Sequence, residues 1–170
     1  MSYTDVLALS EAKTYLRIDD TQNETDAEIK SIINAAFRYI EKHTNYIVSN
    51  QPLKEYIVKN GCVRVYDYPI NSVVKGIDDD GADVDLTYKT NYHKQDKTLY
   101  TLYTGIDTSV VKLVLDVGYT NVADVPDDLI QLASIMVKVM YHEQETNQSF
   151  KEMLPAWANS ILETNRRYTI

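Results

Sequence analysis

The stretch "TDAEIKSIINAAFRYIEKHTNY", residues 25–46, decides the fold. Ile29, Ile32, Ile33, Ala36, Phe37 and Ile40 recur at i, i+3, i+4, i+7, i+8 and i+11, which makes one apolar stripe at the helical period. Glu28, Lys30, Asn34, Arg38, Glu41 and Lys42 fall on the opposite, wet side. Thr25 and Glu28 have the spacing of a capping box, in which each side chain satisfies a free backbone N–H of the other. The helix should stop near His43–Asn45, because asparagine tolerates the left-handed conformation that ends helices. A helix with one greasy stripe needs a second apolar surface to bury it.

That surface lies far away in the chain. In "VPDDLIQLASIMVKVMYHEQE", residues 125–145, Pro126 suits a first helical position, and Asp127 and Asp128 complement the positive end of the helix dipole. Gln131, Ser134, Lys138, His142 and Glu145 form a narrow polar stripe, while the rest from Leu129 to Tyr141 is apolar or small. A helix so apolar is buried by neighbours on several sides, from the same chain or from another copy. Two shorter helices complete the set. "LSEAKTYLRI" predicts a helix over 11–17 with Ser10 as its N-cap. "LPAWANSILETNRRY" predicts a last helix with Trp157 and Ile161 on one face, after a loop at "ETNQSFKEM".

Between the long helices the pattern changes. "KEYIVK", "CVRVY", "NSVVKGI", "DVDLTY", "TLYTLY" and "VVKLVLDV" are short, β-branched and aromatic, and separated by the turn signals Asn60-Gly61, Pro69 and Asp80-Gly81. In the last run Val111, Leu113, Leu115 and Val117 point one way, and Val110, Lys112, Val114 and Asp116 the other. The expected class is α+β: a helical bundle of about four helices, built from residues 1–50 and 120–170, with a small antiparallel sheet inserted at 51–119.

Composition narrows the function. A 170-residue chain buries enough surface to fold without disulfides or metal, and its single cysteine, Cys62, reads as a small strand side chain. The first residues lack the basic start and apolar core of a signal peptide, and no apolar run reaches the length of a membrane span. The expectation is a soluble protein with no membrane partner, made in a reducing cytoplasm. The formal charge of −8 argues against tight, general DNA binding, which needs a basic stripe. Tyrosine is abundant, with 14 residues against two phenylalanines, and suits half-buried strands and interfaces.

Sequence motifs for chemistry fail one by one. His142-Glu143 begins like a zinc-protease signature, but Thr146 stands where the second histidine belongs, four residues on. His43 ends a helix and His93 falls in a loop. "DDDGADVD", residues 78–85, places Gly76 where an EF-hand loop needs its first ligand, so it reads as a solvated acidic turn. No phosphate-cradling glycine run and no serine nucleophile elbow is present. The expectation is therefore no catalytic residue, no cofactor and no metal. A small soluble hydrolase using clustered carboxylates stays open as the alternative of a different class, because the 25 acidic residues carry no decisive spacing. A helical binding module stays open as well.

The order of motifs has a further meaning. "LSEAKTYLRIDD", "YIEKHTN", the "P-I-x-S-V" step at Pro69–Val73, Gly118-Tyr119 and the "V-P-x-D-L" opening at Val125–Leu129 together resemble the head–tail connector (adaptor) family of tailed bacteriophages. The likeness covers residues 7–145; the final 25 residues match poorly. Asn45 stands where many members have glycine. The resemblance implies a structural virion protein without catalytic activity or cofactor. Its members form homo-oligomeric rings, commonly of 12 copies, below the portal protein. They extend the DNA channel in the neck and provide the platform on which downstream tail or neck proteins assemble. Genomic DNA passes through the lumen without sequence-specific binding, and assembly occurs in the host bacterial cytoplasm. A head-completion or tail-terminator protein is the neighbouring reading. Trp157, Arg166, Arg167 and Tyr168 are the candidate partner-binding residues, expected to reach the portal.

Overall fold

A computed structural model describes residues 1–49, 53–86, 92–94, 99–102, 110–142 and 150–166. The chain is α+β and divides into two compact units, Met1–Asn50 with Tyr119–Tyr168, and Gln51–Gly118.

The first unit is helical. Its elements are α1 (Tyr3–Val6), α2 (Leu9–Leu16), α3 (Asp26–Thr44), α4 (Asp127–His142), α5 (Phe150–Met153) and α6 (Ala156–Thr164), with a 3-10 turn at Val122–Asp124. The four predicted helices are α2, α3, α4 and α6; the single turns α1 and α5 are too short to carry a period. Part of the stretch expected to be a loop, "ETNQSFKEM", is thus helical at its end.

α3 packs on α4, α2 lies against both, and α6 covers α4 and α3. The predicted stripes meet: Ile29, Ile33, Ala36, Phe37 and Ile40 from α3, and Leu129, Leu132, Ala133, Met136 and Val137 from α4, are all fully buried. Each large side chain among them contributes about 2 kcal/mol on leaving water, so this seam dominates the unit. Ser134 departs from the expected polar stripe. It is buried, and its hydroxyl donates to the Ile130 carbonyl at 3.0 Å within the helix, which removes the need for water.

Helix ends differ from expectation in informative ways. Thr25 is the α3 N-cap, but its hydroxyl makes no capping bond and is buried, so the predicted capping box does not close. Ser10 lies inside α2, whose N-cap is Ala8. Pro126 precedes α4 and supplies the carbonyl that accepts the Leu129 and Ile130 N–H groups. Asn45 ends α3 at φ 61°, the left-handed cap expected of it.

The second unit holds two antiparallel sheets where the sequence suggested one. The four-stranded sheet has the order β1 (Lys54–Ile57), β7 (Lys112–Val117), β3 (Ile70–Ile77), β4 (Asp83–Val84). The three-stranded sheet has the order β2 (Cys62–Arg64), β6 (Leu99–Leu102), β5 (Tyr92–Lys94). The six short runs carry no marker of which strand each will pair with, and Tyr92–Lys94 is not among them, so the split is set by contacts distant in sequence. His93 lies on β5, paired with Thr101, and not in a loop. Asn60 and Gly61 take φ 52° and 70°, with Lys59 and Cys62 exchanging backbone bonds of 2.8 and 3.0 Å. This two-residue turn with both central residues at positive φ is the tight hairpin that Asn-Gly signals.

Candidate functional site

The motifs that carry the family resemblance are helix ends and chain crossings. In "L-R-I-D", Leu16 is buried and Arg17 turns left-handed at φ 60°. The Ile18 N–H reaches back to the Lys13 carbonyl at 2.9 Å and the Arg17 N–H to Thr14 at 3.1 Å, the paired bonds of a Schellman stop. Asp19 then accepts the Thr21 N–H and hydroxyl at 2.8 and 2.6 Å. Those two bonds hold its carboxyl below the usual range.

Lys13 is the group at the centre of this turn. Only 3% of its side chain is exposed. Its ammonium donates to the carbonyls of Gln22 at 2.7 Å and Asp20 at 3.2 Å, and meets Asp26 Oδ1 at 2.6 Å. The loop between α2 and α3 is therefore wrapped around a buried cation. Residues 21–25 of this loop line an open cavity of about 480 Å³. Sequence reading missed Lys13 because a lysine on a short amphipathic helix has a solvated role by default.

Glu41 was also expected on the wet face. It is half-buried and saturated: Oε2 accepts the Tyr3 hydroxyl at 2.8 Å, and Oε1 accepts the N–H groups of Val48 and Ser49 at 2.7 and 3.1 Å. Tyr3 stacks on Phe37 with centroids 5.4 Å apart, and its phenol is pushed above its ordinary value, chiefly by burial. The Tyr119 N–H donates to the Ile47 carbonyl at 3.1 Å, so the two places where the chain leaves and re-enters the helical unit are side by side.

Gly118-Tyr119 and "P-I-x-S-V" are joined in the same way. Gly118 has φ 105°, a conformation glycine alone adopts cheaply. Its N–H donates to the Pro69 carbonyl at 2.9 Å, and its own carbonyl accepts Asn71 Nδ2 at 2.9 Å. The bulge between Ile70 and Ser72 leaves Asn71 out of the β3–β7 register. In the same unit, Tyr56 and Lys54 both bond Asp67 Oδ2, at 2.5 and 3.1 Å. Burial and this carboxylate drive the Tyr56 phenol well above its ordinary value.

At the "V-P-x-D-L" opening, Val125 and Leu129 are buried, and Asp128 Oδ2 accepts Asn165 Nδ2 at 2.8 Å. This bond ties the end of α6 to the start of α4. A family model described as head completion protein matches residues 5–168, and so spans every one of these joints.

The chain belongs to the head completion protein family.

The connector resemblance read from the sequence thus holds at the level of the family. No curated relative matches the sequence. Among solved structures, a chain from the virion of a native gene transfer agent particle is 14% identical, with a TM-score of 0.73, covering 98% of this chain and 92% of that one. A chain from the neck of the empty particle computed with C6 symmetry gives the same values. One from the neck of the native particle with C12 symmetry has a TM-score of 0.71 and covers 91% of that chain. These likenesses establish a shared fold.

In this head completion protein the predicted partner-binding residues are placed in part. Trp157 is 46% exposed on α6, whose buried face is Ala158 and Leu162. Arg166 is exposed and lies 3.7 Å from Glu163. Arg167 and Tyr168 lie outside the described residues. Among the described residues no three His, Cys, Asp or Glu side chains gather as a metal-binding group. His142 is exposed at the end of α4, with its ring edge-on to Tyr141. In the acidic turn, Asp78 Oδ1 accepts the N–H groups of Asp80 and Ala82 at 3.1 and 2.7 Å. Its carboxylate organises the hairpin backbone. No helix among the described residues is long and apolar enough to cross a membrane.

Proposed function

We propose that this chain is a structural protein of the neck of a phage-like particle, where copies form a ring, of 12 subunits, below the portal. The ring continues the DNA channel and offers the platform on which the next neck or tail components assemble. The observation that carries this reading is the head completion family match across residues 5–168. The fold shared with chains of gene transfer agent necks supports it. The residues themselves agree, since the motif positions are spent on caps, joints and core.

A ring needs two different adhesive faces on each subunit. Exposed Leu53, Ile57 and Val74 on the β unit and Trp157 on α6 are apolar side chains available for such contacts. The net charge of −8 suits a channel through which DNA slides, because attraction at each phosphate would hold the duplex. The C-terminal segment from Trp157 through Arg166, Arg167 and Tyr168 docks on the portal. In this role the protein is not an enzyme, it is located in the virion, and its assembly takes place in the host cytoplasm.

The test is assembly without the chain. Particles made in its absence should accumulate as filled or leaking heads that do not join tails, and purified protein added to those heads should restore joining. A normal yield of tailed particles without it would refute the reading.

A further inference from the structure

We infer that α1 is a strap that locks the root of the inserted β unit, with Tyr3 as its bolt and Glu41 as the catch. The inference starts from where the hydrogen bonds go. Val48 and Ser49 follow α3, and their backbone N–H groups have left the helix without yet entering a sheet. Buried N–H groups need acceptors, and here both are met by one carboxylate oxygen of Glu41. The other oxygen of Glu41 is held by the Tyr3 phenol. The Ser49 side chain also bears on that phenol and offsets part of its rise. Tyr3 therefore reaches the segment through Glu41.

The same segment carries Ile47, whose carbonyl accepts the Tyr119 N–H. The strap thus sets both crossings, the outgoing one at 47–49 and the returning one at 119. Its own attachment is slight. α1 is a single turn, and what anchors it is Tyr3, Val6 and Leu7, against the long buried seam of α3 and α4. An element with so few buried contacts opens at a small fraction of the cost of global unfolding. A bolt on such an element works as a latch: docked, it fixes 47–49; undocked, it frees them while the helical core stays folded.

Amide hydrogen exchange on the full chain tests this. Tyr3→Phe keeps the ring against Phe37 and removes only the hydroxyl. Exchange at Val48, whose N–H is held by Glu41, should accelerate about tenfold, the equivalent of losing one charge-assisted bond. Glu41→Ala should accelerate Val48 and Ser49 further, and Tyr119 with them. Amides of α4 from Leu132 to Val137 should keep wild-type protection in both variants. Wild-type protection of Val48 in Tyr3→Phe would overturn the inference. So would an acceleration spread evenly over α3 and α4, which would make Tyr3 merely a contributor to global stability.

Discussion

Replacing Lys13 with methionine tests how far the helical unit depends on a buried charge. The substitution keeps the length and apolar stem of the side chain and removes the ammonium. It leaves Asp26 facing an uncharged group, and the Gln22 and Asp20 carbonyls without their donor. Breaking a buried ion pair from one side costs roughly 3–5 kcal/mol. Asp26 keeps 26% of its side chain exposed and can recruit water, so the lower end applies, about 3 kcal/mol. That is roughly a hundredfold in the unfolding equilibrium, and about 6–12 °C in melting temperature for a chain of this size. Lys112→Met is the control. Its pair with Glu55 at 2.8 Å is exposed on both sides, 45% and 53%, and such pairs are worth about 1 kcal/mol or less. Urea unfolding followed by far-UV circular dichroism compares the two. A second arm, Lys13→Met with Asp26→Leu, should recover part of the loss, since removing both charges leaves no unpaired ion. Equal, small losses for Lys13→Met and Lys112→Met would refute the reasoning, because the loop would then not be organised by the cation.

Gly118→Ala forces a Cβ onto a residue at φ 105°, which should cost about 1–3 kcal/mol and lower the thermal midpoint; an unchanged midpoint would mean the turn relaxes freely. Tyr56→Phe should weaken the protein at pH 8 by loss of the bond to Asp67, and the gap to wild type should close as pH rises past 10. The folded state holds the Tyr56 proton above the ordinary value of 10.0 while the unfolded chain releases it, so the stabilisation present below pH 10 is lost above it. A gap that stays constant from pH 8 to 11 would contradict that assignment. Asn165→Ala should detach the end of α6 from Asp128 at a cost of about 1–2 kcal/mol. Faster exchange should be confined to the last turn of α6; protection equal to wild type there would show that the bond is not what holds it.

What was legible from sequence was whatever repeats at a short period. The stripe from Ile29 to Ile40 and its counterpart from Leu129 to Val137 are written in local spacing, and they meet as expected. Asn60-Gly61 and Asn45 were legible because positive φ selects few residue types. The division of the strands into two sheets was not, because "CVRVY" and "TLYTLY" look the same whichever sheet they join. Glu41 was placed on a wet face, and Lys13 was passed over, for a related reason. Their burial is decided by loop carbonyls, a distant tyrosine and backbone N–H groups, none of which share a period with them. The family motifs were visible before their meaning was. "G-Y" and "P-I-x-S-V" are recognisable as strings, but only the Gly118–Pro69 and Gly118–Asn71 bonds say that they form one joint.

The proposed neck role rests on where the chain sits in an assembled particle. Cryo-electron microscopy of purified particles, with the neck reconstructed around the tail axis, tests it most directly. The account predicts a closed ring of this chain directly below the portal and coaxial with the DNA channel, with the segment carrying Trp157 and Arg166 turned toward the portal. Necks complete without density for this chain, or the chain found elsewhere as an isolated monomer, would contradict it.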